Sequence, residues 1–257
     1  MSTTRTEANK AHGRIKVEPG AKRVRAYLGG QVVADTLNPV LVWEVPYYPT
    51  YYLPLADVRA ELVEEDGSVS HSPSRGDGVW FAVRAGTNEV ARAALRYRDS
   101  PIEALRDLIR IDWDSMDAWF EEDEEVFTHP RDPYTRVDIL PSSRHVRVEV
   151  DGVTVAESTS PRLLFETGLP TRYYLPKTHV RLDLLIPTET VTHCPYKGQA
   201  EYWSVRAGGA VRDDLAWSYR TPLPESQKIA GMIAFYNEKV DISIDGVLQE
   251  RPHTKFS

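Results

Sequence analysis

The sequence predicts a mainly β protein built from two tandem copies of one small antiparallel domain, with short helices and an acidic, partly helical connector. Three observations carry this. The chain repeats itself without a gap at a spacing of 122 residues, from Val24 to Gly86 against Val146 to Gly208. Apolar residues alternate with polar ones at the two-residue period of half-buried strands. Turn formers, among them 18 prolines, punctuate the alternation.

The repeat rests on matched residues. Val24-Arg25 falls on Val146-Arg147, Gly30 on Gly152, Glu44 on Glu166, and Tyr51-Tyr52-Leu53-Pro54 on Tyr173-Tyr174-Leu175-Pro176. His71, Pro73 and Gly76 fall on His193, Pro195 and Gly198. A period this long exceeds the roughly 20–50 residues of solenoid repeats, so each copy is a whole domain.

In chain order, residues 1–12 are polar and read as a disordered tail without a signal peptide's apolar core. Residues 13–111 form the first copy, with a tight turn at Gly29-Gly30. Residues 112–140 read as the connector; Asp112 to Asp138 holds ten acidic and two basic residues. Asp114 is placed to cap a short helix carrying Met116, Trp119 and Phe120. Residues 141–250 form the second copy. There Val146 to Val150 alternates, Asp151-Gly152 turns, and Val180 to Leu184 and Ala200 to Val205 read as further strands. Pro224 opens a short helix up to Gly231, and Lys239 to Ile244 reads as the last strand.

Composition bounds the function. The net charge of −7 argues against nucleic acid, whose binders present a basic face. No apolar run approaches the ~18 residues of a membrane span. A single cysteine precludes an internal disulfide and any cysteine-type zinc site, and suits a cytoplasmic location. No metal is implied, and the residues name no cofactor.

The chemistry-bearing stretch is His193-Cys194-Pro195-Tyr196-Lys197-Gly198. The first copy keeps its turn formers but has Ser72 and Arg75 for Cys194 and Lys197. Cys194 is either a buried small hydrophobe or a thiolate activated by a neighbouring His193 or Lys197. His193 is either a turn-holding residue or a general base. The positive charge at 75 and 197 means either a shared salt bridge or anion binding. Arg181 and Asp183 are either a solvent-side ion pair or the polar floor of a pocket lined by Tyr174, Tyr202, Trp203 and Trp217, with Tyr196 at its rim. His129 and Arg131 sit in a proline-bounded segment able to present them to a neighbouring pocket.

Several of these motifs together resemble one family. The Asp151-Gly152 hairpin, Tyr173-Tyr174-Leu175-Pro176, His193-Cys194-Pro195-Tyr196-Lys197-Gly198, Tyr202-Trp203, Trp217-Ser218-Tyr219 and Ile229-Ala230-Gly231 are similar to domain-of-unknown-function family 427, also labelled nucleotidyltransferase family nine. The resemblance implies a β-tent-like fold, a curved pair of sheets around a pocket. The label alone suggests nucleotide transfer, but no glycine-rich phosphate cradle accompanies it. The expectation is a small-molecule-binding protein with its pocket in the second copy, or an enzyme using Cys194 or His193 with Lys197 or Arg181 stabilising negative charge. The alternative is a non-catalytic interaction module. A monomer whose two copies pair about a pseudo-twofold axis is expected.

Overall fold

The computed structural model describes residues 15–254, so the tail expected over residues 1–12 lies outside the described residues. Contacts divide the chain into two compact units that meet between Asp132 and Pro133.

The first unit runs β1 (Lys16–Pro19), β2 (Val24–Leu28), β3 (Gln31–Thr36), β4 (Val40–Val45), β5 (Tyr48–Pro54), β6 (Glu61–Ser72), β7 (Gly76–Ala85), β8 (Asn88–Arg96), β9 (Leu108–Ile111), β10 (Ala118–Glu121) and β11 (Glu124–Val126). The second runs β12 (Val137–Pro141), β13 (Val146–Val150), β14 (Val153–Ser158), β15 (Arg162–Glu166), β16 (Arg172–Tyr174), β17 (Leu185–Cys194), β18 (Gly198–Ala207), β19 (Ala210–Ser218), β20 (Ile233–Phe235), β21 (Asp241–Ile244) and β22 (Val247–Leu248).

The two units share one topology. The first has a large sheet ordered β1-β4-β5-β9-β8-β7-β6 and a small one ordered β11-β10-β2-β3. The second repeats them as β12-β15-β16 and β17-β18-β19-β20, with β22-β21-β13-β14 as the small sheet. Leu175 and Ile233 exchange backbone hydrogen bonds of 2.8 and 2.9 Å, which joins β16 to β20 and completes the large sheet. All pairings between these strands are antiparallel.

Alternation decides which face is buried. In β13, Val146, Val148 and Val150 point inward and Arg147 outward. They meet Val205, Ala216 and Phe235 of the large sheet in the main core. In the first unit Val24, Ala26 and Trp119 meet Leu53, Val83 and Ile109 in the same way. The hairpin turn at Asp151-Gly152 takes φ angles of 48° and 77°, the double left-handed geometry that Asp-Gly suits.

Each large sheet also carries a second, smaller core on its other face. In the second unit this holds Leu164, Tyr174, Tyr202, Trp217, Tyr219 and Ile229, the last on the 3-10 helix Pro224–Ile229. In the first it holds Val42, Tyr52, Leu95, Tyr97 and Leu105.

Three local expectations need correction. The helix expected after Asp114 is a 3-10 turn, Trp113–Ser115, followed by strand β10. Alternation wins there: Trp119 is buried and stacks on Trp113, while Phe120 turns to meet Tyr27 edge-on. The stretch read as a connector is also divided. Strand β10 pairs with β2, and β11 extends that sheet, whereas β12 pairs with β15. The acidic run at 121–125 is therefore the closing hairpin of the first copy, the counterpart of Asp245-Gly246. Finally, Val180 to Leu184 is not a strand. It lies between and within the 3-10 turns Lys177–His179 and Leu182–Leu184, touching the small sheet only through the Ala156–Val180 bridge.

Candidate functional site

The His193–Gly198 stretch is the hairpin between β17 and β18. Gly198 takes φ +93°, and its counterpart Gly76 takes φ +85°, a backbone that side-chain-bearing residues rarely adopt. Lys197 N–H donates to the Cys194 carbonyl at 3.3 Å, closing the turn. The segment after β19 pins it: Leu223 N–H donates to the Lys197 carbonyl at 3.1 Å, and Ser226 Oγ donates to the Tyr196 carbonyl at 3.0 Å.

Strand alternation then separates His193 from Cys194. His193 is exposed and sits across from Gln199, whereas half-buried Cys194 packs against the outer-face core. In the first copy the corresponding pair, His71 Nδ1 and Asp77 Oδ1, is 2.6 Å apart and open to solvent. The two chemistry-bearing side chains thus leave the strand towards opposite faces.

Lys197 is the buried member of the motif. Its Nζ meets Glu166 Oε2 at 2.5 Å, and both side chains are about nine-tenths buried. Burial pulls the ammonium's pKa down, but the neighbouring Cys194 and Glu166 outweigh it and hold the pKa above its ordinary value. Around this pair, Trp217 Nε1 donates to Tyr174 Oη at 3.0 Å, and burial pushes the Tyr174 and Tyr219 hydroxyls upward. The first copy builds the same arrangement: Arg75 Nη1 lies 3.0 Å from Glu44 Oε1, and Tyr52 Oη donates to Glu44 at 2.5 Å. One carboxylate and one cation thus hold the turn in both copies, although the cation differs.

A second buried pair escaped the sequence reading. Arg172 grips Glu238 through two 2.7 Å bonds, with Glu238 fully covered. Nothing flags it in the sequence, because the partners lie 66 residues apart and Thr50 occupies the matching place in the first copy.

The second copy also has a charged groove of about 560 Å³, lined by the charged residues Asp151, Arg212, Asp213, Lys239 and Arg251 and by Val150, Val211, Leu215 and the edge of Glu238. Arg212 binds Asp151 through 2.9 and 3.2 Å contacts, and Arg251 binds Asp241 at 2.7 Å. Lys239 lies with Nζ 5.1 Å from the Tyr236 ring centre and makes no ion pair among the described residues. Among the described residues Asp213 accepts a 3.4 Å side-chain bond from Ser204 Oγ.

Comparison of the sequence with known families gives one match, to the domain of unknown function DUF427, over residues 16–122 and again over 138–246. The chain belongs to this family. No curated protein matches it. Both DUF427 matches end inside the closing hairpins, after β10 and after β21, in agreement with the sheet boundaries.

Within this DUF427 chain the residues expected to line a pocket are scattered. Tyr174, Tyr202 and Trp217 fill the outer-face core and are buried. Tyr202 Oη bonds Thr192 Oγ1 at 2.8 Å. Trp203, one residue on, points through the sheet towards the main core, with Lys177 Nζ 5.7 Å from its ring centre. Arg181 and Asp183 form an exposed pair at 2.9 and 2.7 Å, 58% and 61% accessible. His129 stacks on Tyr48 at 4.0 Å, and Arg131 binds Glu124 at 2.5 Å, both within the first unit. Among the described residues no cluster of three metal-ligating side chains occurs, and no helix is long and apolar enough to cross a membrane.

Proposed function

We propose that the protein binds a small charged molecule in the groove of its second copy, and that the His193–Gly198 turn is architecture and not a catalytic centre. The observation that carries this is the groove's make-up beside its counterpart. Asp151, Arg212 and Asp213 are Gly29, Val90 and Ala91 at the matching positions of the first copy. The second copy therefore carries charge at three positions where the first carries none. Its volume suits a small ligand, and a lining in which charged residues outnumber Val150, Val211 and Leu215 suits a charged one.

The groove's unspent charges indicate the ligand. Asp151 and Glu238 already hold arginines, while Lys239 and Asp213 pair with no opposite charge among the described residues. A molecule carrying both an acidic group and an amine fits them, as a free amino acid or short peptide does. A cytoplasmic setting is part of the proposal, in keeping with the single cysteine.

Thermal unfolding with amino acids and dipeptides tests it. A ligand at 100 times its Kd stabilises by about 2.7 kcal/mol, which moves Tm by several degrees. Lys239→Ala is expected to remove that rise. A rise left undiminished by both Lys239→Ala and Asp213→Asn overturns the assignment.

A further inference from the structure

The outer face of the first copy carries hydrogen-bond donors that its own fold does not satisfy. Arg75 Nε and Trp80 Nε1 are buried and meet no acceptor. Arg75 Nη1, although 3.0 Å from Glu44 Oε1, makes no aligned hydrogen bond either. These groups belong to one cluster. Arg110 Nη1 lies 3.3 Å from Glu44 Oε2, and its guanidinium lies 5.7 Å from the centre of the Trp80 ring. Arg92 approaches the same ring at 5.0 Å, and Arg75 lies over Tyr97 at 5.2 Å.

The matching places in the second copy have no such deficit. Lys197 is paired with Glu166, and Tyr202, at the position of Trp80, is bonded to Thr192. Buried donors are normally satisfied, so donors left open at places that the second copy keeps paired call for an acceptor from outside. Arg75 and Arg110 face Glu44, Arg110 also faces Asp112, and Arg92 stands over the Trp80 ring. Solvent can reach the cluster, since Arg75 and Glu44 are 14% exposed and Arg110 is 20% exposed.

We propose that this cluster binds the carboxylate of a small organic acid, with Arg75 and Trp80 donating hydrogen bonds and Arg110 adding charge. A carboxylate accepts without donating, and it is the charged acceptor that an arginine binds most strongly. The site is separate from the groove of the second copy, and neither depends on the other.

The test uses the full chain and acetate as the probe. The indole N–H resonance of Trp80, assigned by its loss in Trp80→Phe, is followed while acetate is added against chloride at equal ionic strength. A saturable shift specific to acetate is expected. Arg75→Lys installs the cation that the second copy already uses, so the fold is retained, and binding is expected to weaken about tenfold. Lys239→Ala is expected to leave the response intact. No shift, an equal shift with chloride, or a shift that Arg75→Lys does not weaken overturns the proposal; in the first case water satisfies the donors.

Discussion

Lys197 and Arg75 were joined in the sequence only by their place in the repeat, and the structure adds what each one holds. A buried cation beside a buried carboxylate is costly to break from one side, because the partner is left charged and unpaired. Lys197→Met is therefore expected to destabilise the second copy by about 3–5 kcal/mol in denaturant unfolding. Lys197→Arg restores the first copy's choice and is expected to cost less than about 1.5 kcal/mol, a volume change that the turn can absorb. Glu238 offers a pH test. Burial alone raises its pKa, but bonds from Arg172 and Thr254 outweigh that and hold it below its ordinary value of 4.5. A folded pKa below the unfolded one contributes stability that is complete above 4.5 and is lost as pH falls through the folded value. The acid limb of the stability curve is expected to flatten in Glu238→Gln. An unchanged limb would show that other carboxylates set it. The Arg172–Glu238 pair itself was illegible, since neither residue is part of a motif and only tertiary folding brings them together.

At the scale of elements, strands flanked by glycine turns were legible and irregular segments were not. Asp151-Gly152, Pro224 and the alternation of β13, β18 and β21 all announced themselves. Residues 112–126 did not, because acidic side chains on a solvent-facing edge hairpin hide the two-residue period beneath them. Trp119 discloses the truth: it is 3% exposed, and its Nε1 donates to the Trp113 carbonyl at 3.1 Å. If β10 is part of the first copy's core, Trp119→Ala costs about 3–5 kcal/mol, the usual penalty for emptying a buried tryptophan site. A loss below about 1 kcal/mol, measured by urea unfolding of the full chain, would return this segment to the role of a linker. Val180 to Leu184 misled in the opposite direction. Its alternating residues imitate a strand, but Arg181 N–H is taken by Val155 and Leu184 N–H by Arg181, which winds the chain into a 3-10 turn.

On the scale of the whole molecule, duplication explains both what repeats and what differs. The sheets, the positive-φ glycines and the carboxylate–cation pair recur because each copy needs them to fold. The charges at 151, 212 and 213 and the open donors at 75 and 80 are not shared by the matching positions of the other copy, and both proposed binding sites lie at these differences. Sequence reading recognised the tandem repeat and its divergence at 72 and 194 and at 75 and 197. It grouped Tyr202 and Trp203 on one pocket wall, whereas these strand neighbours face opposite cores. The deciding measurement is a parallel ligand titration of Cys194→Ser and Lys239→Ala by thermal unfolding, with the amino acid or dipeptide that stabilises the unaltered protein most. The account predicts that Cys194→Ser keeps the full ligand-dependent rise in Tm and Lys239→Ala loses it. A rise lost in Cys194→Ser and kept in Lys239→Ala would contradict the account and return the site to the His193–Gly198 turn.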